Sequence, residues 1–166
     1  EQKSIYLNLP IVSTQAEMAV LDEILFVLKI GVVANNYAHL RWVKLYQTIA
    51  GLGLNVFNNY TASVLLQLGC ENVIWSLEKN QTPSCGSALV SGYPALMTLC
   101  HCPIREVYGS DCAKCRYHPH LIYQDEKRNR YHFRRIKIKH CYFELFSEEK
   151  YQRVTNAGQI YDLRRN

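Results

Sequence analysis

The sequence is short of what several protein classes require. No apolar run reaches the roughly 18–20 residues that a membrane-crossing helix needs. No leader pattern is present either, because Glu1–Ser4 runs straight into a core-like strand. Neither a Gly-x-Ser-x-Gly elbow nor a His-Glu-x-x-His helix occurs, so the local signatures of many serine hydrolases and zinc peptidases are missing. Solenoid-type repeats and low-complexity tracts are absent. There is also no initiator Met, as expected of a chain that is processed, truncated or part of a longer one. What remains is a 166-residue chain, 48% hydrophobic and 20% charged, long enough for one domain with a real core. It carries seven cysteines. An odd number without a secretory signal argues against a disulfide framework and for reduced thiols serving a metal, with a cytoplasmic location expected.

The first half reads as repeating strand–helix units. "SIYLNLP" (4–10) is a strand ending at a proline, and Thr14 with Glu17 forms a capping box that opens a helix bearing Met18, Leu21, Ile24, Leu25 and Leu28 at helical spacing. "IGVVANN" (30–36) is a second strand, followed by a helix expected from about Tyr37 to Ile49. "LNVFNN" (54–59) is a third strand, "TASVLLQL" a shorter helix ending at Gly69, and "NVIWSLE" (72–78) a fourth strand. This spacing is that of βαβ crossovers and predicts a parallel sheet. Polar residues gather at the C-terminal strand ends, where α/β folds bind ligands: Asn8, Asn35, Asn36, Asn58, Ser76 and Glu78. Asn35, Asn58 and Glu78 are the mouth candidates; the alternative is that such asparagines only cap helices and turn loops. After Asn80 the pattern changes. "ALV" (88–90) is a short strand, and "HLIYQD" with "YHFRRIKIKHCYFELF" alternates as an antiparallel hairpin turned by Lys127-Arg128-Asn129.

The densest chemical signal is "CHCPIREVYGSDCAKC" (100–115), with Cys141 following on the hairpin. Cys112-x2-Cys115 sets two sulfurs close enough to share a metal. With Cys102 and Cys141 they form a set of four soft donors that suits tetrahedral zinc or a [4Fe–4S] cluster, and spacing does not choose between them. Cys100, two residues before Cys102, points the same way in an extended segment, so either can be the ligand. Cys70 and Cys85 read as small buried hydrophobes. His101, His118, His120 and His140 flank the site; substitution as ligands is the alternative to their reading as outer-sphere or exposed groups.

These residues carry a resemblance. "GYPALMTLCHCP", "CAKC" and "LIYQDEKRNRYHFRRIKIKHCYFELFS" resemble the collagenase-like peptidase family U32. That family shows a Gly-x-x-Pro-Leu-Met segment leading into His-Cys-Pro, a cysteine pair, a hairpin and a last cysteine. "VVANNYAHL" and "LGLNVFNNYTASVLLQLGCENVIWSLE" resemble its strand ends. Cys102, Cys112, Cys115 and Cys141 match the family's four cysteines one by one, while Ala95, Asn129, Gly53 and Phe146 depart from its pattern. The resemblance implies the C-terminal portion of a (β/α)8 TIM-like barrel, followed by a cysteine-rich segment and an antiparallel hairpin. Residues 1–80 are then the βα-repeat part, and 81–166 the metal-site segment with the basic hairpin, packed with it as one domain. Only four to five parallel strands are visible, so a partner chain or a missing N-terminal half is expected to complete the barrel. The resemblance also implies a [4Fe–4S] cluster, with zinc as the alternative, supporting hydroxylation-type modification of RNA or a related aromatic substrate. Collagenase-like proteolysis and a non-catalytic, metal-stapled scaffold are the alternatives.

Charge points in the same direction. Residues 116–140 hold eight Lys/Arg against Asp125 and Glu126, a net of +6 in a chain of +5 overall. Arg128, Arg130, Arg134, Lys137 and Lys139, interleaved with Tyr117, Tyr123, Tyr131 and Phe133, are the residues expected to meet RNA. An ordinary solvated hairpin face is the alternative. Strand alternation is expected to put Lys137 and Lys139 on the face of Cys141.

Overall fold

Four short runs, Tyr6–Asn8 (β1), Gly31–Ala34 (β2), Thr48–Ala50 (β3) and Asn72–Val73 (β4), pair in sequence order as a parallel sheet in the computed structural model. Described are residues 4–79, 85–109, 111–112, 115, 121–154 and 158–162. The chain divides into two compact units, Glu1–Ser91 with Gln152–Tyr161, and Gly92–Tyr151 with Asp162–Asn166.

In the first unit, Val32, Ala34, Ala50 and Val73 are fully buried, as the strands of a two-sided parallel sheet must be. Helix α1 (Gln15–Leu28) starts at the expected capping box: Thr14 Oγ1 accepts the Glu17 N–H, and the Glu17 carboxylate accepts the Thr14 N–H at 2.9 Å. Helix α2 (Asn59–Gln67) is capped by Asn58 and buries Ala62 and Leu65 against Trp75, Leu54, Val56 and Cys70. A single parallel bridge, Ile74 to Ser87, leads from β4 to Ser87–Gly92 (β5). Strand β5 lies between Tyr151–Gln152 (β10) and Gly158–Tyr161 (β11), and pairs in parallel with β11.

The expected helix over Tyr37–Ile49 does not form. A 3₁₀ turn, Tyr37–Trp42, replaces it, and Thr48–Ala50 is a strand. The indole N–H of Trp42 donates to Asp22 on α1 at 2.6 Å, and Leu45 and Tyr46 both donate back to the Trp42 carbonyl, which winds the chain down there. The β-branched Thr48 and Ile49 then take the slot between β2 and β4. The third strand expected at 54–59 shrinks to one bridge, Val56 to Trp75.

The second unit is an antiparallel sheet in the order β6-β9-β8-β7: Met97–Leu99 (β6), Ile122–Gln124 (β7), Arg130–Lys137 (β8) and Cys141–Ser147 (β9). The predicted turn between β7 and β8 is present. Asp125 accepts from the Asn129 backbone at 2.9 Å and side chain at 2.8 Å, while Arg128 takes a positive φ of 68°. Residues 131–146, read as one strand, are instead two strands folded at Ile138–His140. A short helix, Pro103–Tyr108 (α3), begins directly after Cys102.

The sheets are thus mixed: β1 to β4 are parallel, β11 pairs in parallel with β5, the sheet of the second unit is antiparallel, and the described strands do not close into a barrel. Among the described residues no helix is long and apolar enough to cross a membrane. Gly53 lies so close under Asn35 that a Cβ would collide with the Asn35 carbonyl. Gly53→Ala should therefore lower the unfolding free energy by about 1–3 kcal/mol, read as a shift in the urea midpoint at unchanged slope.

Candidate metal centre and surrounding residues

The antiparallel register decides where the cysteines fall. Leu99 at the end of β6 pairs with Phe143, Arg135 pairs with Phe143 from the other side, and Lys137 at the end of β8 pairs with Cys141 at the start of β9. One end of the sheet therefore carries the exit of β6, the exit of β8 and the start of β9. β7 also starts toward this end, since Ile122 pairs with His132 and Gln124 with Arg130. β6 and β7 are the two edges of this sheet, three strand spacings or roughly 14 Å apart, and residues 100–121 connect them. Cys100, Cys102, Cys112 and Cys115 belong to that connection, and Cys141 starts β9.

Within it, Cys102 is half-buried ahead of α3, with Pro103 as the first helical residue and Ile104 buried. Cys100 and Cys112 are exposed. The Cys115 N–H donates to the Cys112 carbonyl at 3.4 Å, closing a turn across the C-x2-C pair. Cys115 is half-buried, and its Sγ lies 3.9 Å from Nη1 of Arg135. Arg135 and Lys137 alternate onto one face of β8, and Cys141, as the partner of Lys137, shares that face. Cys115 and Cys141 are thus brought to one patch of the sheet. Among the described residues, no three His, Cys, Asp or Glu side chains stand close enough together to hold a metal ion. His118 and His120 lie outside the described residues, with Arg116 and Tyr117. His101 pairs with Glu106 at 3.4 Å on the surface, and His140 sits exposed in the β8–β9 bend.

Cys70 is buried in the first unit's core as expected, and burial pushes its thiol pKa up. Cys85 is exposed rather than buried, because it is its backbone carbonyl, not its thiol, that meets the core, accepting the Trp75 indole N–H.

The five basic candidates do not share a face. Arg130 and Arg134 fall on the even-numbered face of β8 and are held in ion pairs, Arg130 with Glu148 at 3.4 Å and Arg134 with the buried Glu144. The Arg134 guanidinium also lies over the Phe146 ring at 5.1 Å. Lys137 is on the opposite face, as expected, beside Cys141. The strand ends at Lys137, so Lys139 belongs to the bend and not to the alternation; Arg128 sits in the turn at the far end of β8. Tyr123 and Tyr131 form a tilted ring pair at 6.0 Å beside that turn.

At the C-terminal ends of the parallel strands, Asn35 is buried and spent on structure. Its Nδ2 donates to Asn8 Oδ1 at 2.7 Å and to the Leu9 carbonyl at 2.6 Å, and its Oδ1 accepts the Gly53 N–H at 3.2 Å. Asn58 and Asn36 are helix caps, so the capping alternative describes both. Glu78 is exposed in a turn where its N–H meets Ser76 Oγ. The departure at Gly53 has a physical reason here, since an acidic side chain has no room under Asn35. Phe146 is likewise core.

His39 has no local sequence signal and is fully buried. Its Nδ1 accepts the Asn35 N–H at 3.2 Å, so the proton of the neutral ring sits on Nε2 and is donated to Ser13 Oγ at 3.3 Å. A serine nucleophile needs the opposite tautomer, with a bare Nε2 facing the hydroxyl. The Ser13–His39 contact is therefore structural.

No family model, curated protein or solved structure matches this chain.

Burial pushes the pKa of His39 down to about 4, from an ordinary value of 6.5. The unfolded chain then binds a proton that the folded one refuses, so stability is complete above pH 6.5 and is lost as pH falls toward 4. The loss should reach about 2 kcal/mol at pH 5. Urea melts of wild type and His39→Gln at pH 7 and pH 5 check this: the variant, less stable at pH 7, should lack that component of the pH dependence.

Proposed function

We propose that this chain is part of an iron–sulfur protein of the collagenase-like U32 type. Cys102, Cys112, Cys115 and Cys141 hold one [4Fe–4S] cluster, and the protein serves hydroxylation-type modification of RNA or a related aromatic substrate. What supports this reading is that β6 and β8 end, and β9 starts, at one end of one sheet, with Cys102 shortly after β6, Cys141 at the start of β9 and Cys115 against Arg135 of β8. Thiolates are the donors that Fe–S clusters and zinc take, and the described set contains no hard oxygen donor that would favour magnesium or calcium. When bound, the cluster supplies one-electron transfer. The protein's part is to position sulfur: Pro103 and α3 fix Cys102, the turn at Cys112 fixes the C-x2-C pair, and the β8–β9 register fixes Cys141. A shared metal ties these segments to one another, so folding of this unit and loading of the site are coupled.

The first unit supports the remainder of the reading. Its strands β1 to β4 run parallel in sequence order, and the Ile74–Ser87 bridge carries that order to β5 and β11. We read this as a portion of a (β/α)8-type barrel that a further segment or a partner chain completes. Proteolysis is the weaker reading, because the Ser13–His39 pair has the wrong tautomer for a nucleophile and base.

Anaerobically purified protein should be brown, with broad absorption near ~400 nm and about four irons per chain. Serine at Cys102, Cys112, Cys115 or Cys141 should abolish the colour, while Cys70→Ser and Cys85→Ser keep it. A colourless protein with one bound zinc would return the site to a structural staple, and a protein that binds neither metal would sink the reading.

The substrate side has its own test. With Arg130 and Arg134 held in ion pairs, at most three of the five cations meet phosphates. Filter binding of single-stranded RNA should then show a log–log salt slope no steeper than about −2, against the −3.5 or so of five contacts. Absence of any salt-dependent binding would leave the hairpin as a solvated face.

A further inference from the structure

The charge around the thiols is uneven in a way that donor spacing does not explain. Four thiolates around zinc, or around an oxidised [4Fe–4S] core, leave roughly two negative charges to be offset. Of the cations on β8, Arg130 and Arg134 are committed to Glu148 and Glu144 on the even-numbered face. Arg135 and Lys137 rise from the other face, the one that Cys141 shares. Arg135 is the more closely placed of the two: its Nη1 lies 3.9 Å from Cys115 Sγ, within hydrogen-bonding range of sulfur. It sits two positions before Lys137 on the same strand, and Lys137 stands directly across from Cys141. Phe143, opposite Arg135, is fully buried, so the stem of Arg135 rests beside apolar surface while its head group reaches the thiol.

We propose that Arg135 is the outer-sphere cation of the metal centre. Its guanidinium donates a hydrogen bond to the sulfur of Cys115 and, with Lys137 beside Cys141, offsets the negative charge of the four-thiolate site. This rests on the metal-site reading above. It makes Arg135 a positioning residue, acting through Cys115 and not on substrate. A thiolate that accepts a charge-assisted hydrogen bond is held in one orientation, and repulsion among the four sulfurs falls. Two consequences follow from that chemistry. Removing the guanidinium weakens the hold on the metal, and it makes a bound cluster harder to reduce, since reduction adds a further negative charge.

The test measures zinc affinity by competition with a chromophoric chelator, in wild type, Arg135→Gln, Arg135→Lys and Arg128→Gln. Arg128 lies in the turn at the other end of β8, so its variant removes one charge of the same patch away from the thiols. Arg135→Gln should weaken zinc by about 10–100-fold, the range found for outer-sphere partners of metal ligands. Arg135→Lys should recover most of that loss, and Arg128→Gln should bind as wild type does. In iron-loaded protein, the midpoint potential of Arg135→Gln should fall, which a purely structural role would not produce. Thermal melts of the metal-free proteins separate folding from binding. Should Arg135→Gln fail to fold, the Lys and Arg128 variants still decide: equal weakening in both would overturn the assignment. Unchanged affinity in a folded Arg135→Gln would overturn it while leaving the metal reading intact. A wild-type protein that takes up neither zinc nor iron would overturn both.

Discussion

The pairing of Lys137 with Cys141 is the constraint on which the second unit depends. It folds residues 131–146 back on themselves at Ile138–His140, makes β9 the inner neighbour of β8, and lets β6 dock on the other side of β9. β6 and β7 are then the opposite edges of that sheet, and the connection between them carries Cys100, Cys102, Cys112 and Cys115, while Cys141 starts β9. The same register sorts the cations. Arg130, His132 and Arg134 on the even-numbered face of β8 meet Glu148 and Glu144, while on the odd-numbered face Arg135 meets Cys115 and Lys137 pairs with Cys141.

The first unit is organised around Asn35 in a comparable way. One side-chain amide ties the residues following β1 to those following β2 and to Gly53 after β3, and its backbone N–H fixes the ring of His39. Such a buried network must be fully satisfied, because an unpaired polar atom there costs more than the bond it replaces contributes. Gly51 and Gly53 are the residues that leave room for it. The polar residues at these strand ends therefore serve mainly to hold the ends together. The chemistry proposed for this chain rests instead on the cysteines of 100–115 and on Cys141.

Much of this was legible in the sequence where the signal was local. The Thr14–Glu17 box, the helix expected over 61–68 and the turn expected at 127–129 each rest on side chains within a few residues; all three formed, the helix starting two residues early at Asn59. Long-range pairings were not legible. Residues 37–49 satisfy a helical period, but the bond from Trp42 to Asp22 ends that turn early, and Thr48–Ala50 is too short to stand out as a strand. The bend at Ile138–His140 contains no Gly, Pro or Asn, so "IKIKHCYF" alternates straight through a reversal that only the sheet reveals. That missed reversal is why Lys139 was expected on the strand face. It is also why Arg135 drew no notice: its neighbour Cys115 is distant in sequence. The cysteines themselves stood out because thiols in a polar setting have few structural uses apart from binding a metal.

The account's central claim is that Cys102, Cys112 and Cys115 share one metal with Cys141. X-ray absorption at the zinc edge of the stoichiometrically loaded protein tests it most directly. The account predicts a first shell of four sulfur atoms at about 2.3 Å, falling to three with one shorter oxygen or nitrogen neighbour when Cys141 is replaced by Ser. A wild-type shell of two or fewer sulfurs, or one unchanged by Cys141→Ser, would contradict it.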